Sequence, residues 1–301
     1  MKLSDVIMGA PSPYDYGRPR GRFAPSPSGR MHLGNIYAAL MSYLSVKTRG
    51  GEWVLRIEDN DPQRSKREYA DLIMDDLSWL GMSWDDGPYY QSERTPIYEA
   101  YFSQLESMGV LYPCHCTRAE LRAPHASDLH SPYSGKCRPA MPLTELPHSP
   151  ANVRVRTDHV APVSDIIRFD DALLGPQEIS VAAQFGDFVI RRRDGAWAYQ
   201  FAVTIDDSLM NITEVVRGDD LLTSTAPQIY LTRLLGISTP GRYVHLPLLR
   251  NDAGQRLSKR DGSLSMDQLR LRHSPRDIIA MICRGAGLHP DAVLTSLSLP
   301  G

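Results

Sequence analysis

A strand, a loop of small residues and a helix follow one another early in the chain. That succession limits the fold more than any other feature. Gly21-Arg-Phe-Ala24 reads as a strand end, with Pro25-Ser-Pro-Ser-Gly29 as the loop. A helix opens near Gly34, and Ile36, Ala39, Leu40, Tyr43 and Leu44 recur at helical spacing. Gly50-Gly51 ends it, and Glu52-Trp-Val-Leu-Arg-Ile57 reads as a buried strand. Residues 68–80 are again helical, with Leu72, Ile73, Asp76, Leu77 and Leu80 along one side. Strand, helix, strand, helix begins a βαβ layer, and such a layer requires a parallel sheet. The predicted class is α/β.

The first loop–helix junction also predicts chemistry. Helix amides and the positive end of the helix dipole face the loop, and small residues leave room for a phosphate-bearing ligand. Pro25, His32, Gly34 and Asn35 are the candidate contacts. His32 and Asn35 bring N–H donors, and Gly34 lets a nucleotide approach the backbone. Alone, His-x-Gly is a weak motif that reads equally well as a helix cap with a surface histidine. A second candidate is the basic loop Arg256-Leu-Ser-Lys-Arg-Asp-Gly262, where Ser258 and Lys259 can meet phosphates. Phosphate transfer of this kind asks the protein for position and charge rather than a nucleophile. If both loops serve one site, the ligand is ATP and the reaction is adenylation.

Residues 112–150 lose periodicity and gather Pro, His, Cys and Ser, as an inserted module would. Cys114, Cys116 and Cys137 lie in it, with 20 residues between the last two. Three thiolates at that spacing suit a closed tetrahedral zinc site. On spacing alone the fourth ligand is a histidine: His115, His125 or His130. Cys283 falls in an apolar helical pattern and reads as core. Residues 153–156 and 187–191 read as short strands, 197–205 and 213–216 as strands of a resuming sheet, and 223–235 as a helix with a Ser or Thr cap. Arg191-Arg192-Arg193 reads as a solvated strand edge or turn. A net charge of −2 leaves nucleic-acid binding to a local basic face. No segment approaches the roughly 18 apolar residues of a membrane span. Residues 1–17 lack the long apolar core of a secretion signal, so a flexible leader and a cytoplasmic protein without membrane contact are expected.

The two phosphate loops together resemble the paired His-x-Gly-His and Lys-Met-Ser-Lys-Ser motifs of class I aminoacyl-tRNA synthetases. Gly21-Arg-Phe-Ala-Pro-Ser-Pro-Ser-Gly29, Leu55-Arg-Ile-Glu-Asp-Asn-Asp-Pro62, Tyr199-Gln-Phe-Ala202, Ile205-Asp-Asp207 and Val216-Arg-Gly-Asp-Asp220 resemble the glutamyl branch, in the same order. Asn35 stands where the motif has its second histidine, and Arg256 and Arg260 depart from the lysine loop. The 39 residues after Gly262 leave no room for an anticodon-reading region, so the resemblance narrows to the truncated paralogues that modify tRNA(Asp).

That resemblance implies a class I Rossmann-type parallel sheet with a zinc-bearing insertion and a short helical C-terminal region. The expected division is a leader (1–17), the first half of the catalytic domain (18–111), the inserted module (112–196), the second half (197–238), and the lysine loop and helical tail (239–301). It implies ATP-dependent activation of L-glutamate, with Mg²⁺, and transfer of the glutamyl group to queuosine in the anticodon of tRNA(Asp), by a monomer. Charging of a tRNA 3′ end and non-catalytic tRNA binding are the alternatives. His32, Asn35 and Lys259 would be catalytic. Glutamate carries two carboxylates and an ammonium. Arg22 and Arg217 suit the carboxylates, Glu58 the ammonium, and Ala24, Ser26 and Tyr199 close contacts. The resemblance assigns the same six positions to glutamate. It points to Tyr133, in Tyr-x-x-x-Cys137, as the fourth zinc ligand, with His125 and His130 behind it. Asp59, Asp61, Asp206 and Asp207 are further candidates for ribose, water or Mg²⁺ contact.

Overall fold

The computed structural model describes residues 2–9, 17–122, 132–143, 145–146, 150–249 and 265–299. Lys259 and Ser258, and the alternative ligands His125 and His130, lie outside the described residues.

The first half is the expected βαβ layer. Strand β1 (Arg20–Phe23) leads into helix α2 (Leu33–Lys47), β2 (Glu52–Ile57), α3 (Arg67–Trp79) and β3 (Asp86–Tyr90), preceded by a short α1 (Leu3–Met8). Helix α4 (Thr95–Ser107) and strand β4 (Leu111–Cys114) carry the chain onward, followed by α5 (Arg118–Arg122) and β5 (Asn152–Val155). Strands β6 (Ile166–Asp171) and β7 (Gly175–Ser180), helix α6 (Val181–Gln184) and β8 (Phe188–Arg191) follow. Then come α7 (Tyr199–Leu209), β9 (Glu214–Gly218), α8 (Thr225–Leu235), β10 (Arg242–Leu246) and three helices, α9 (Met266–Arg270), α10 (Pro275–Ala286) and α11 (Pro290–Leu294).

The large sheet has the order β3-β2-β1-β9-β10-β6-β7, parallel except for the β6–β7 hairpin. Strands β4, β5 and β8 form a separate antiparallel sheet. Helices cover both faces of the large sheet, as a parallel sheet requires. On one side α2 places Ile36, Leu40 and Leu44 against Trp53 and Leu55, with Ile278 and Ile282 of α10 in the same core. On the other, Tyr98, Phe201, Ala226 and Tyr230 pack together over Val54 and Val215. Strand order runs outward from β1 through β2 and outward from β9 through β10. The crossover helices α2 and α8 leave toward opposite faces. A crevice therefore opens between the carboxyl ends of β1 and β9, the usual ligand position in such folds.

Four sequence expectations need correction. Residues 197–205 contain no long strand; they lead into α7, which runs Tyr199–Leu209. Every residue from Phe201 to Ser208 is buried, so no polar face betrays the helical period, and Val203, Thr204 and Ile205 imitate a strand. Strands β6 and β7 fall within the span assigned to the insertion, and β10 within that assigned to the tail, yet all three belong to the large sheet. Their short, mixed sequences become strands only through pairing with neighbours distant in sequence. Part of the expected leader is helix α1, whose Val6 and Ile7 are buried in the α2-side core. Ser224 stands at the N-cap of α8 but makes no side-chain cap bond; its hydroxyl accepts from Gln200 instead.

Candidate functional site

A cavity of about 710 Å³ fills the crevice between β1 and β9. Arg22, Ala24, Pro25, Ser26, His32, Gly34, Asn35, Glu58, Tyr199 and Arg217 all line it. These include every described residue named from sequence for glutamate or ATP.

The loop after β1 is laced to its surroundings. Pro25 accepts the Glu58 amide at 3.0 Å, and Pro27 accepts that of Lys66 at 3.0 Å. Arg30 reaches the fully buried Asp76 of α3 at 2.8 Å and also pairs with Asp267 of α9. This explains why an aspartate lies on the buried side of α3. His32 caps α2. Its Nδ1 accepts the Gly34 amide at 3.2 Å, and the Asn35 side-chain oxygen accepts the His32 amide at 3.1 Å. Asn35 thus acts as a capping acceptor, which leaves its amide nitrogen as the donor it has for a phosphate. A Cβ on Gly34 would stand 3.1 Å from the His32 ring, so the glycine first makes room for this cap.

The described residues on either side of the segment 250–264 lie at the site. Pro247, Leu248 and Leu249 line the cavity on its N-terminal side. On its C-terminal side Ser265 forms a β-bridge with His32, and the Met266 amide donates to Met31 at 2.9 Å.

At the cavity and beneath it lies a buried charge array, with arginines on adjacent strands and Asp207 on α7. Arg22 on β1 donates through Nε to both Asp207 oxygens at 3.3 Å. Arg56 on β2, wholly buried, donates to Asp207 at 2.7 Å and to Glu58 at 3.1 Å. Burial pushes the Glu58 carboxyl up, against the pull of Arg56 and Arg22. Burial also acts on Asp207, but Arg22 and Arg56 outweigh it and hold that carboxyl below the usual range. Arg217 on β9 differs. It is 5 % exposed, and its hydrogen-bond partners are neutral: His245 at 3.1 Å, Gln228 at 3.0 Å, Thr225 at 2.7 Å and Tyr199 at 3.5 Å. Among the described residues no carboxylate bonds to it directly, and Asp207 acts on it only across space. A buried cation without a directly bonded counter-charge is costly, so Arg217 can take an incoming anion.

The four aspartates considered for ribose, water or Mg²⁺ have protein partners. Asp206 is buried beneath the site and accepts from Gln91, Arg94 and Tyr98. Asp207 is the counter-ion of Arg22 and Arg56. Asp59 accepts the Ser92 amide and hydroxyl, and Asp61 pairs with Arg192 at 2.9 Å. Sequence reasoning passed over Arg56 and the second layer of Asp171, His245, Thr225 and Gln228. Arg56 was visible in the Leu55-Arg-Ile-Glu58 segment. The others carried no motif, because they meet Arg217 only through strand pairing and helix α8.

Away from the cavity, Cys114, Cys116 and Cys137 bring three sulfurs within 4.8 Å of one another. Cys116 and Cys137 are 3.4 Å apart, far from a bonded pair. The Tyr133 hydroxyl lies 3.5 Å from Cys114 and 3.8 Å from Cys116, and accepts the Cys137 amide at 2.8 Å. Tetrahedral coordination with zinc-like bond lengths sets ligands about 3.5–3.8 Å apart, so this group of four suits a thiophilic metal ion. His115 is exposed and outside the group. Burial acts to raise the Cys114 thiol, but bonds from Tyr133 and Arg154 prevail and bring it to about 7. Cys283 is buried in the α10 core, as its pattern implied. Arg191 ends β8 and stacks over Trp197, and Arg192 turns away to Asp61 and Asp194. Among the described residues no helix is long and apolar enough to cross a membrane.

Comparison with known proteins agrees with this geometry. Residues 19–296 match the model of the class I tRNA synthetases (E and Q), catalytic domain. The glutamyl-Q tRNA(Asp) synthetase of Nitratidesulfovibrio vulgaris is 43% identical over 91% of this chain and 88% of its own. That of Janthinobacterium sp. is 44% identical over 82% of this chain and 83% of its own. The structure of a glutamate tRNA ligase from Elizabethkingia meningosepticum, in complex with its amino acid, superposes with a TM-score of 0.69 at 33% identity over 82% of this chain. This chain spans about half of that one, 53%. With its switch-point cavity, its Rossmann-type sheet and these matches, the chain belongs to the class I tRNA synthetases for glutamate and glutamine, a family of ligases.

Proposed function

We propose that this protein activates L-glutamate with ATP and transfers the glutamyl group to queuosine in the anticodon of tRNA(Asp). The observation that carries the first half is Arg217, a buried guanidinium with neutral partners on the cavity wall. Glutamate supplies the anion it lacks. Arg22 takes the second carboxylate and Glu58 the ammonium, while Ala24, Ser26 and Tyr199 close around the chain of the amino acid. ATP lies along the Pro25–Gly34–Asn35 side, with its phosphates toward the start of α2. The α-carboxylate of glutamate attacks the α-phosphorus, and pyrophosphate leaves. His32, Asn35 and Lys259 stabilise charge on the transferring phosphate, with Ser258 beside them. Mg²⁺ accompanies ATP and neutralises phosphate charge.

The second half rests on the glutamyl-Q tRNA(Asp) synthetases, which resemble this chain over most of both lengths. Zinc is the metal for Cys114, Cys116, Tyr133 and Cys137. It would supply a fixed, redox-inert cross-link rather than chemistry. The protein is read as a cytoplasmic monomer.

The deciding experiment gives the protein labelled glutamate, ATP and purified tRNA(Asp) with queuosine, beside tRNA(Glu), and maps the labelled nucleotide. Label on queuosine supports the proposal. Label on the 3′ ribose of tRNA(Glu) overturns it in favour of conventional charging. Absence of glutamate-dependent ATP–pyrophosphate exchange overturns the activation step and leaves a non-catalytic binder.

A further inference from the structure

We infer that Asp171 and His245 form a buried positioning pair that aims Arg217 at the amino acid's side-chain carboxylate and so separates glutamate from glutamine. The inference rests on the reading of Arg217 given above. Neither residue lines the cavity, and both are buried, at 2 % and 0 % exposure.

Strand register puts the three groups in line. His245 on β10 is the direct cross-strand partner of Arg217 on β9, and Asp171 ends the next strand, β6. The Asp171 carboxylate accepts the backbone amides of Leu173 and Leu174 on one oxygen. Its other oxygen accepts the His245 amide at 3.0 Å and lies 2.7 Å from Nδ1. A carboxylate so placed keeps the ring proton on Nδ1. The lone pair is then on Nε2, where the Arg217 Nε–H donates at 3.1 Å. Thr225 agrees with this direction. Its hydroxyl accepts from Arg217 at 2.7 Å and lies 3.2 Å from Nε2, so with the ring proton on Nδ1 its own proton is free to turn to Nε2. Burial lowers the His245 pKa, which keeps the imidazole neutral and able to accept. Gln228 fixes another guanidinium nitrogen, and its own amide is oriented by Gln200.

The consequence is selectivity. Bonds to His245, Gln228 and Thr225 lock the guanidinium, and once the 3.5 Å Tyr199 contact yields it keeps one N–H on each terminal nitrogen for a ligand. Two carboxylate oxygens satisfy those two donors. The amide nitrogen of glutamine would face it donor to donor. A guanidinium free to turn could admit a bridging water and blunt that difference.

The test measures ATP–pyrophosphate exchange with glutamate and with glutamine for Asp171→Asn, His245→Leu, His245→Gln and Arg217→Ala. Asp171→Asn retains an acceptor for the Leu173 and Leu174 amides but turns a donor toward Nδ1. The ring proton then moves to Nε2, against Arg217. Asp171→Asn and His245→Leu should raise the glutamate KM about tenfold and narrow the glutamate-to-glutamine ratio about tenfold, with the ATP KM unchanged. His245→Gln, which can keep an acceptor, should recover most of both. In ¹⁵N spectra the wild-type His245 ring should be protonated at Nδ1, and the Asp171→Asn ring at Nε2. Wild-type discrimination in both Asp171→Asn and His245→Leu, or a wild-type ring protonated at Nε2, overturns the positioning pair. Should His245→Leu fail to fold, Asp171→Asn and the spectra decide. An unchanged glutamate KM in Arg217→Ala would instead remove Arg217 itself from the amino-acid site.

Discussion

Arg22, Arg56 and Arg217 stand on three adjacent strands of the parallel sheet, whereas Cys114, Cys116, Tyr133 and Cys137 stand at the end of one short strand and on loops beside the small antiparallel sheet. Both regions gather like charges or soft ligands that would repel or drift apart alone. The sheet holds its cations by register, and by carboxylates already in place: Asp207 lies between Arg22 and Arg56. The cysteine module has Arg154 stacked 3.8 Å over Tyr133 and the Asp187 carboxylate gathering Tyr112, Arg138 and Thr157 nearby, but no carboxylate among its four clustered groups. The difference teaches that the cavity wall carries its own charge pairing, while the sulfur group is spaced to suit a metal ion.

The largest effect should come from Arg217→Ala. Glutamate KM in exchange should rise about 300-fold or more, with thermal stability near wild type, because the variant also removes a buried charge that no carboxylate bonds directly. A KM within a few fold of wild type would break the idea of a wall waiting for an anion.

Asp207→Asn should come next, and should act on stability as well as activity. It strips the counter-charge from Arg22 and Arg56, at a cost of about 3 kcal/mol at neutral pH in urea unfolding. The sign with pH follows from the lowered Asp207 pKa. Its contribution is complete above the unfolded carboxylate range and is lost as pH falls through the folded value. The gap between wild type and variant should therefore close below about pH 4. A gap that widens in acid would contradict the pairing.

Cys116→Ser tests the other region. Bound zinc, measured by elemental analysis, should fall from about one per chain to about none, with earlier unfolding of the module in limited proteolysis. Glutamate-dependent exchange should stay within about threefold of wild type, since the module adds no group to the cavity wall. Exchange lost in step with zinc would erase the distinction between the regions.

Glu58→Gln should have the smallest effect on stability. The Glu58 carboxyl is raised by burial, so its favourable contribution exists below the unfolded range and vanishes as pH rises through the folded value. At pH 7 the neutral variant should be as stable as wild type or about 0.5 kcal/mol more so, while glutamate KM rises for want of an ammonium partner. A clear loss of stability at pH 7 would show Glu58 to be a structural counter-ion of Arg56 instead.

Much of the site was legible because its residues lie within local motifs. The loop after β1, the Arg56–Glu58 stretch and Tyr199 sit where a strand ends or a helix begins, and those boundaries are written in Pro, Gly and apolar spacing. The cysteines announced themselves by spacing, and the hydroxyl of Tyr133, implied by family resemblance, lies 3.5 Å from Cys114 and 3.8 Å from Cys116. Helix α7 was misread because burial on all sides removes the alternation from which a helix is recognised. Strands β6, β7 and β10 were misplaced because pairing across long sequence distances made them part of the large sheet.

The amino-acid sequence by itself determined the α/β class, the strand–loop–helix junction at α2 and the candidate residues for glutamate and metal. The first two follow from local periodicity, the cysteines from their spacing, and the glutamate residues from family resemblance joined to side-chain chemistry. Only the tertiary structure decided which partners each charge would have. Asp207 went to Arg22 and Arg56, and Arg217 received neutral neighbours and the Asp171–His245 pair. Strand order makes that choice, because it alone brings β1, β2, β6, β9 and β10 side by side at one end of the sheet.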